Sequence, residues 1–344
     1  MDKIRIAING FGRIGRMVFR QAIVDEQFEV VAVNASYPSE TLAHLTKYDS
    51  VHGIFDGEVE ALEEGLLVNG KEVKLVNSRE PDKLPWKELD IDVVIEATGQ
   101  FRTKETAGLH LEAGAKKVVI TAPGKGVDKT IVIGVNEDEY DGEKHDVVSN
   151  ASCTTNCLAP VVKILDDNFN ILNGLMTTVH AFTNDQKNLD NPHKDLRRAR
   201  GCTQSIIPTS TGAAKALGEV LPHLNGKLHG MALRVPTPDV SLVDLVVDVE
   251  ESVTVDDVNQ AFIDAGAKDY QGLVKFSDEP LVSIDFTTTE YSAVIDGLST
   301  MVMEDKKIKV LAWYDNEWGY SARVLDLTKL VGESLTNKKA ASIS

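Results

Sequence analysis

The chain has 344 residues, enough for two domains at roughly 150 residues each and for a substantial buried core. Its 42% hydrophobic and 26% charged content belongs to a soluble globular protein and not to a disordered one. Lys and Arg total 36 against 53 Asp and Glu, a net charge of −17, which argues against nucleic acid or an anionic membrane as partner unless positive charge is gathered locally.

The first half alternates strand and helix signals. Residues 3–9 read as a strand, 13–23 as a helix, 29–34 as a second strand, and 92–97 and 117–121 as short buried strands rich in β-branched residues. Strands joined by helices imply a parallel, doubly wound sheet. Residues 56–75, with Asn69-Gly70 suited to a tight turn, read as a hairpin decorating that sheet. No run approaches the ~20 apolar residues that span a bilayer, and no leader is apparent. Three cysteines cannot form a fully paired disulfide framework, so a reducing cytoplasm is expected.

The first strand runs directly into Gly10-Phe11-Gly12-Arg13-Ile14-Gly15. This is the G-x-G-x-x-G spacing at a strand-to-helix turn, where glycines permit close approach of a pyrophosphate and the helix N-terminus supplies N–H donors. An acidic residue about 20 positions further on usually holds the ribose hydroxyls, but here that place falls on Ala35, within Asn34-Ala35-Ser36. Without a carboxylate a ribose 2′-phosphate meets no repulsion, and Ser36 or the Asn34 amide can donate to it. The expected cofactor is therefore NADP, with NAD possible if Asn34 bonds the plain ribose.

Past residue 150 the pattern changes to serial strands at 175–182, 227–235, 240–249, 292–296 and 307–313. These imply an α+β domain with a mostly antiparallel sheet, accompanied by helices at 255–265, capped by Thr254, and at 320–335. The expected organisation is a dinucleotide-binding domain at 1–151, a catalytic domain at 152–317, and a C-terminal helix at 318–344 returning to the nucleotide domain.

Ser149-Asn150-Ala151-Ser152-Cys153-Thr154-Thr155-Asn156-Cys157 opens an apolar helical run at 158–165, in which Pro160 predicts a kink. A cysteine at a helix N-terminus is expected to have a depressed pKa, which is nucleophile geometry for Cys153. Cys157 and Cys202 read as buried structural thiols. His180, on a strand entering a polar loop, is a candidate base for the thiol. Lys194, Arg197, Arg198 and Arg200, followed by Ser205, Thr209, Ser210, Thr211 and Gly212, are equipment for a phosphate, or else a solvated charge run.

Five separated segments, in order, give a specific resemblance. They are Asn9 to Arg16, Ala151 to Cys157, His193 to Arg200, Thr211 to Lys215, and Trp313-Tyr314-Asp315-Asn316-Glu317-Trp318-Gly319-Tyr320. Together they resemble the phosphorylating glyceraldehyde-3-phosphate dehydrogenase family. The resemblance implies that Cys153 is the nucleophile and His180 its partner. It implies further that Thr183 and Arg234 hold the substrate phosphate, while Ser152, Thr154, Arg198, Thr211 and Gly212 serve inorganic phosphate and the carbon chain. Asn316 is implied for the nicotinamide carboxamide, and Arg13, Ile14, Arg79, Thr98 and Thr121 for the rest of the cofactor groove. No metal is implied.

Ala35 replaces the aspartate of the NAD-linked pattern, and Asn191 stands where leucine is common, before a retained Pro192. Both departures resemble the NADP-using branch, which implies work in gluconeogenesis, a homotetramer and a cytoplasmic site. Erythrose-4-phosphate dehydrogenase is a rival on the same scaffold. A non-catalytic nucleotide-binding or adhesive protein is another, although loss of the cysteine or histidine would be its sign.

Overall fold

The computed structural model describes residues 3–341, which divide into two compact units. One comprises the chain up to Ile133, Glu137–Ala151 and the residues from Ser321 on; the other comprises Gly134–Asn136 and Ser152–Tyr320. Among the described residues no helix is long and apolar enough to cross a membrane.

The first unit is built on a nine-stranded sheet. In sheet order the strands are Lys129–Thr130, Val147–Ser149, Lys117–Ile120, Val93–Glu96, Ile4–Asn9, Phe28–Asn34, Lys71–Val76, Gly65–Val68 and Val59–Leu62. The central strands Val93–Glu96 and Lys117–Ile120 are buried along their whole length, as parallel strands covered on both faces must be. Ile4–Asn9 pairs in parallel with Phe28–Asn34 on one side and Val93–Glu96 on the other. The chain therefore reverses its winding direction there, and ligands of such sheets bind at the carboxyl ends of the strands flanking this reversal.

The 56–75 region is more than the single hairpin expected from sequence. Two successive turns make three antiparallel strands, and the last, Lys71–Val76, pairs in parallel with Phe28–Asn34, so the segment extends the sheet instead of decorating it. Asn69 and Gly70 supply the second turn with φ of 49° and 75°, the left-handed pair a tight hairpin needs.

The second unit carries a sheet ordered Ile207–Ser210, Leu228–Val235, Ile171–Ala181, Ser241–Val249, Lys307–Tyr314, Ala293–Asp296 and Val274–Ser277, with Met301–Met303 added beside Lys307–Tyr314. It is mostly antiparallel, as expected, with two parallel pairs: Ile171–Ala181 with Leu228–Val235, and Val274–Ser277 with Ala293–Asp296. Burial alternates strictly along Ser241–Val249 and Lys307–Tyr314, the period-2 signature of a sheet with one face on a core. The Cys153–Phe169 helix packs on that face. It runs unbroken through Pro160, and Ser152 caps it by accepting from the Thr155 N–H. Helix Val255–Ala267 starts at Thr254, which forms a capping box with Asp257.

Candidate active site

Two neighbouring strands and one helix end assemble the reactive pair of the second unit. Cys153 is the first residue of its helix, and His180 lies near the end of Ile171–Ala181; Sγ and Nε2 are 3.4 Å apart. The His180 Nδ1 sits 2.7 Å from the Ala181 carbonyl and 2.9 Å from Arg234 Nη1, so the carbonyl invites a hydrogen on Nδ1 while the guanidinium invites a lone pair there. Either way it is Nε2 that faces the thiol. Arg234 Nη1 donates to the same carbonyl at 3.0 Å, because the parallel register places Arg234 opposite His180.

The charges around the pair follow from this arrangement. Burial and the Arg234 cation pull His180 down to about 3, so the ring is neutral and available as a base. For Cys153 the helix N–H groups and Arg234 do favour the thiolate, as the sequence suggested, but burial outweighs them and the thiol lies above its ordinary value. The expectation of a depressed thiol is corrected, and the thiol needs a base to ionise it. Cys157 is fully buried and its thiol is pushed up by the same cause, in keeping with a structural cysteine. All three cysteines are free thiols.

The anion-binding candidates divide by what they already touch. Arg234 Nε is buried without a hydrogen-bond partner, an orphaned donor of the kind a phosphate oxygen satisfies. The Arg198 guanidinium is held by Thr209 Oγ1 at 2.9 Å and Asp185 Oδ2 at 2.5 Å, and Arg200 by Asp190 at 2.8 Å. The cationic run is thus partly compensated by acids of its own loop, while Lys194 and Arg197 stay exposed. Thr183 is tied to Gln186, whose Oε1 accepts from its N–H at 2.9 Å. Thr211 and Gly212 lead into helix Ala213–Val220, and a Cβ on Gly212 would meet nothing within 4 Å, leaving room for a ligand at those N–H groups. Ser152 Oγ is engaged as the helix cap, and Thr154 Oγ1 lies 2.9 Å from the Tyr314 hydroxyl.

In the first unit a cavity of about 710 Å³ opens at the carboxyl ends of Ile4–Asn9 and Phe28–Asn34, lined by Gly10, Gly12, Asn34, Ala35, Ser36, Arg79 and Thr98 among others. Its glycines perform three different tasks. Gly10 has φ +96° and a Cβ there would lie 2.8 Å from the Thr98 nitrogen; a Cβ on Gly15 would lie 2.1 Å from the Gly10 carbonyl; one on Gly12 would meet nothing. These are the tight turn, the close helix packing and the open approach that a dinucleotide pyrophosphate requires, so the residues present suit such a cofactor.

Not every expected residue joins the lining. Arg13, Ile14, Gly15 and Thr121 lie outside it. Arg13 is turned to Asp49 in a two-pronged ion pair, and Thr121 bonds the Glu96 carbonyl at 3.1 Å. Both hydrogens of the Asn34 amide are spent: Nδ2 donates to Asn9 Oδ1 and the Ser78 carbonyl, while Oδ1 accepts from the Ser78 N–H. The amide has no donor left for a 2′-phosphate, which corrects that part of the reading made from its position alone, while Oδ1 keeps a lone pair for a ribose hydroxyl. Ser36 and Arg79 make no hydrogen bond to the described protein, so their donors are available.

Sequence reasoning passed over the residues behind these. Asn9 and Thr98 are held by the buried Glu96, whose Oε2 also takes a 3.0 Å bond from His110. Trp86 donates to the other nitrogen of that ring at 2.9 Å. Asp185, Gln186, Ser241 and Tyr314 do the same service in the second unit. A polar residue at the last position of a buried strand, as at Asn9 and Glu96, was the available signal.

Residues 4–104 match the family described as glyceraldehyde 3-phosphate dehydrogenase, NAD binding domain, and residues 152–316 its C-terminal domain. The chain is 66% identical over 338 residues to glyceraldehyde-3-phosphate dehydrogenase 2 of Bacillus subtilis (strain 168), covering 98% of this chain and 99% of the relative. Against the protein of the same name from Staphylococcus aureus (strain MRSA252) the identity is 61% over 340 residues, covering 98% and 99%. Fold and site thus define an NAD(P)-dependent oxidoreductase. The chain belongs to the glyceraldehyde-3-phosphate dehydrogenase family, of the phosphorylating kind.

Proposed function

We propose that Cys153 forms the covalent intermediate of this reaction and His180 moves its protons, with NADP as the preferred cofactor. The observation that carries the reading is the 3.4 Å contact of Sγ with His180 Nε2. Nε2 takes the thiol proton as Sγ attacks the aldehyde carbon, and returns it to the resulting oxyanion to give a hemithioacetal. When bound, the nicotinamide cofactor supplies the acceptor for the hydride lost from that carbon. Nε2 again receives the hydroxyl proton, and a thioester on Cys153 remains. Inorganic phosphate then attacks the thioester carbon, the Cys153 thiolate leaves, and the acyl phosphate 1,3-bisphosphoglycerate is released.

Arg234 and Thr183 hold the phosphate of glyceraldehyde 3-phosphate, and Arg198, Thr211 and Gly212 serve the attacking phosphate. The orphaned Nε of Arg234 supports its part in this division. Asn316 holds the nicotinamide carboxamide.

NADP preference rests on Ala35, Ser36 and Arg79. A carboxylate at position 35 would repel a 2′-phosphate by roughly 4 kcal/mol per charge pair at contact in an effective dielectric near 20, and Ala35 avoids that cost. Ser36 and the uncommitted Arg79 guanidinium supply donors on the cavity wall. A reduced NADPH pool then favours the aldehyde-forming, gluconeogenic direction in a cytoplasmic setting. Leu175 and Met231, 67% and 42% exposed on strands of the second sheet, suit burial between copies in a homotetramer. Turnover with NAD and NADP in both directions tests the cofactor and direction, and light scattering tests the assembly; a large NAD advantage contradicts the preference.

A further inference from the structure

We propose that Ser241 is a positioning residue that fixes which way round the Asn316 amide stands, so that Nδ2 and not Oδ1 is offered to the nicotinamide carboxamide. The inference rests on the reading of Asn316 as the carboxamide holder. Ser241 begins its strand opposite Tyr314, two residues before Asn316, and both Ser241 and Asn316 are buried. The Ala181 N–H, which can only donate, gives its hydrogen to Ser241 Oγ at 3.1 Å. The serine hydrogen is then free to donate, and Oγ lies 2.6 Å from Asn316 Oδ1, a separation typical of O–H···O and short for N–H···O.

With Oδ1 spent in this way, Asn316 Nδ2 is the end left over, and it makes no hydrogen bond to the described protein. An N–H donor takes the carbonyl of a carboxamide and rejects its amine. If the Asn316 amide stood the other way, Oδ1 would face the carboxamide and could accept only from its NH₂ group. Ser241 thus turns a two-way side chain into a one-way one. Because its other partner is the amide of Ala181, next to His180, the same hydroxyl ties the cofactor-holding residue to the strand bearing the base.

The backbone before Ser241 is specialised. Val240, a β-branched residue, has φ 63°, a region such residues avoid. It is held there by packing with Phe286 and Val294, and strain of this kind marks positions that the surroundings over-determine.

The test compares Ser241→Ala, Ser241→Thr and Asn316→Ala in the full-length enzyme. Fluorescence quenching reads the NADP⁺ dissociation constant. Ser241→Ala is expected to raise it about tenfold, the worth of one buried hydrogen bond. Ser241→Thr, which keeps the hydroxyl, is expected to leave it at the parent value. If the alanine variant does not fold, Ser241→Cys, with its weak donor, replaces it with the same expectation. An unchanged dissociation constant in the Ser241→Ala variant, or an equal rise in Ser241→Thr, while Asn316→Ala weakens binding, overturns the proposal. An unchanged dissociation constant in Asn316→Ala overturns the underlying assignment of Asn316 as well.

Discussion

His180 and Arg234 occupy partner positions on two parallel strands, and Arg234 Nη1 lies 2.9 Å from His180 Nδ1 and 3.0 Å from the Ala181 carbonyl that the same ring nitrogen touches at 2.7 Å. The imidazole is thereby held with Nε2 toward Cys153, and a fixed positive charge lies beside the thiol. The charge pulls down both the Cys153 thiol and the His180 ring.

Replacing that charge should slow the thiol. In Arg234→Gln the Cys153 pKa rises, the thiolate fraction near neutrality falls, and alkylation by iodoacetamide without substrate is expected to slow on the order of tenfold, one pKa unit. Rate constants across pH check this. An unchanged rate would mean that Arg234 acts on the substrate alone.

Cofactor choice should turn on the cavity wall. Ala35→Asp is expected to lower kcat/KM for NADP by on the order of a hundredfold or more, from like-charge repulsion at contact, with little effect on NAD. Arg79→Leu should weaken NADP selectively as well. Equal losses with both cofactors would show that these residues hold the nucleotide generally and do not sense the 2′-phosphate.

The fold was legible where pattern and chemistry agree over several residues. The glycine turn, the buried central strands and the Thr254 cap each follow from local rules. Lys71–Val76 was harder, because nothing within 56–75 says that its last strand will leave the hairpin to pair in parallel with Phe28–Asn34. The site was legible in its reactive atoms and less so in their surroundings. Asn34 looked available to a ligand because its three partners, Asn9 and two backbone groups of Ser78, come from distant parts of the chain. The Cys153 thiol looked activated because a helix N-terminus can be read from sequence, whereas the burial that opposes it arises only on folding.

A buried acid makes stability depend on pH. Asp239 is 6% exposed, and burial together with Asp315 and Glu317 pushes its carboxyl up to about 9. The native state therefore keeps a proton that the unfolded chain releases above its ordinary value of 3.8. Stability is unaffected by this group below that value and falls as pH rises toward 9. Asp239→Asn, which cannot ionise, is expected to raise the melting temperature at pH 8 by on the order of a few degrees and to flatten its decline with pH. An equal decline in variant and parent would contradict this.

The central claim is a covalent acyl intermediate on Cys153, and single-turnover mixing without phosphate addresses it directly. Enzyme combined with glyceraldehyde 3-phosphate and NADP should give a burst of about one reduced cofactor per subunit, then stall, as an activated nucleophile that accumulates its adduct requires. Mass spectrometry of the quenched protein should place the acyl group on the peptide carrying Cys153, added phosphate should discharge it, and Cys153→Ser should show neither burst nor adduct. An adduct on Cys157 or elsewhere, or steady turnover with no burst and no adduct, would contradict the account.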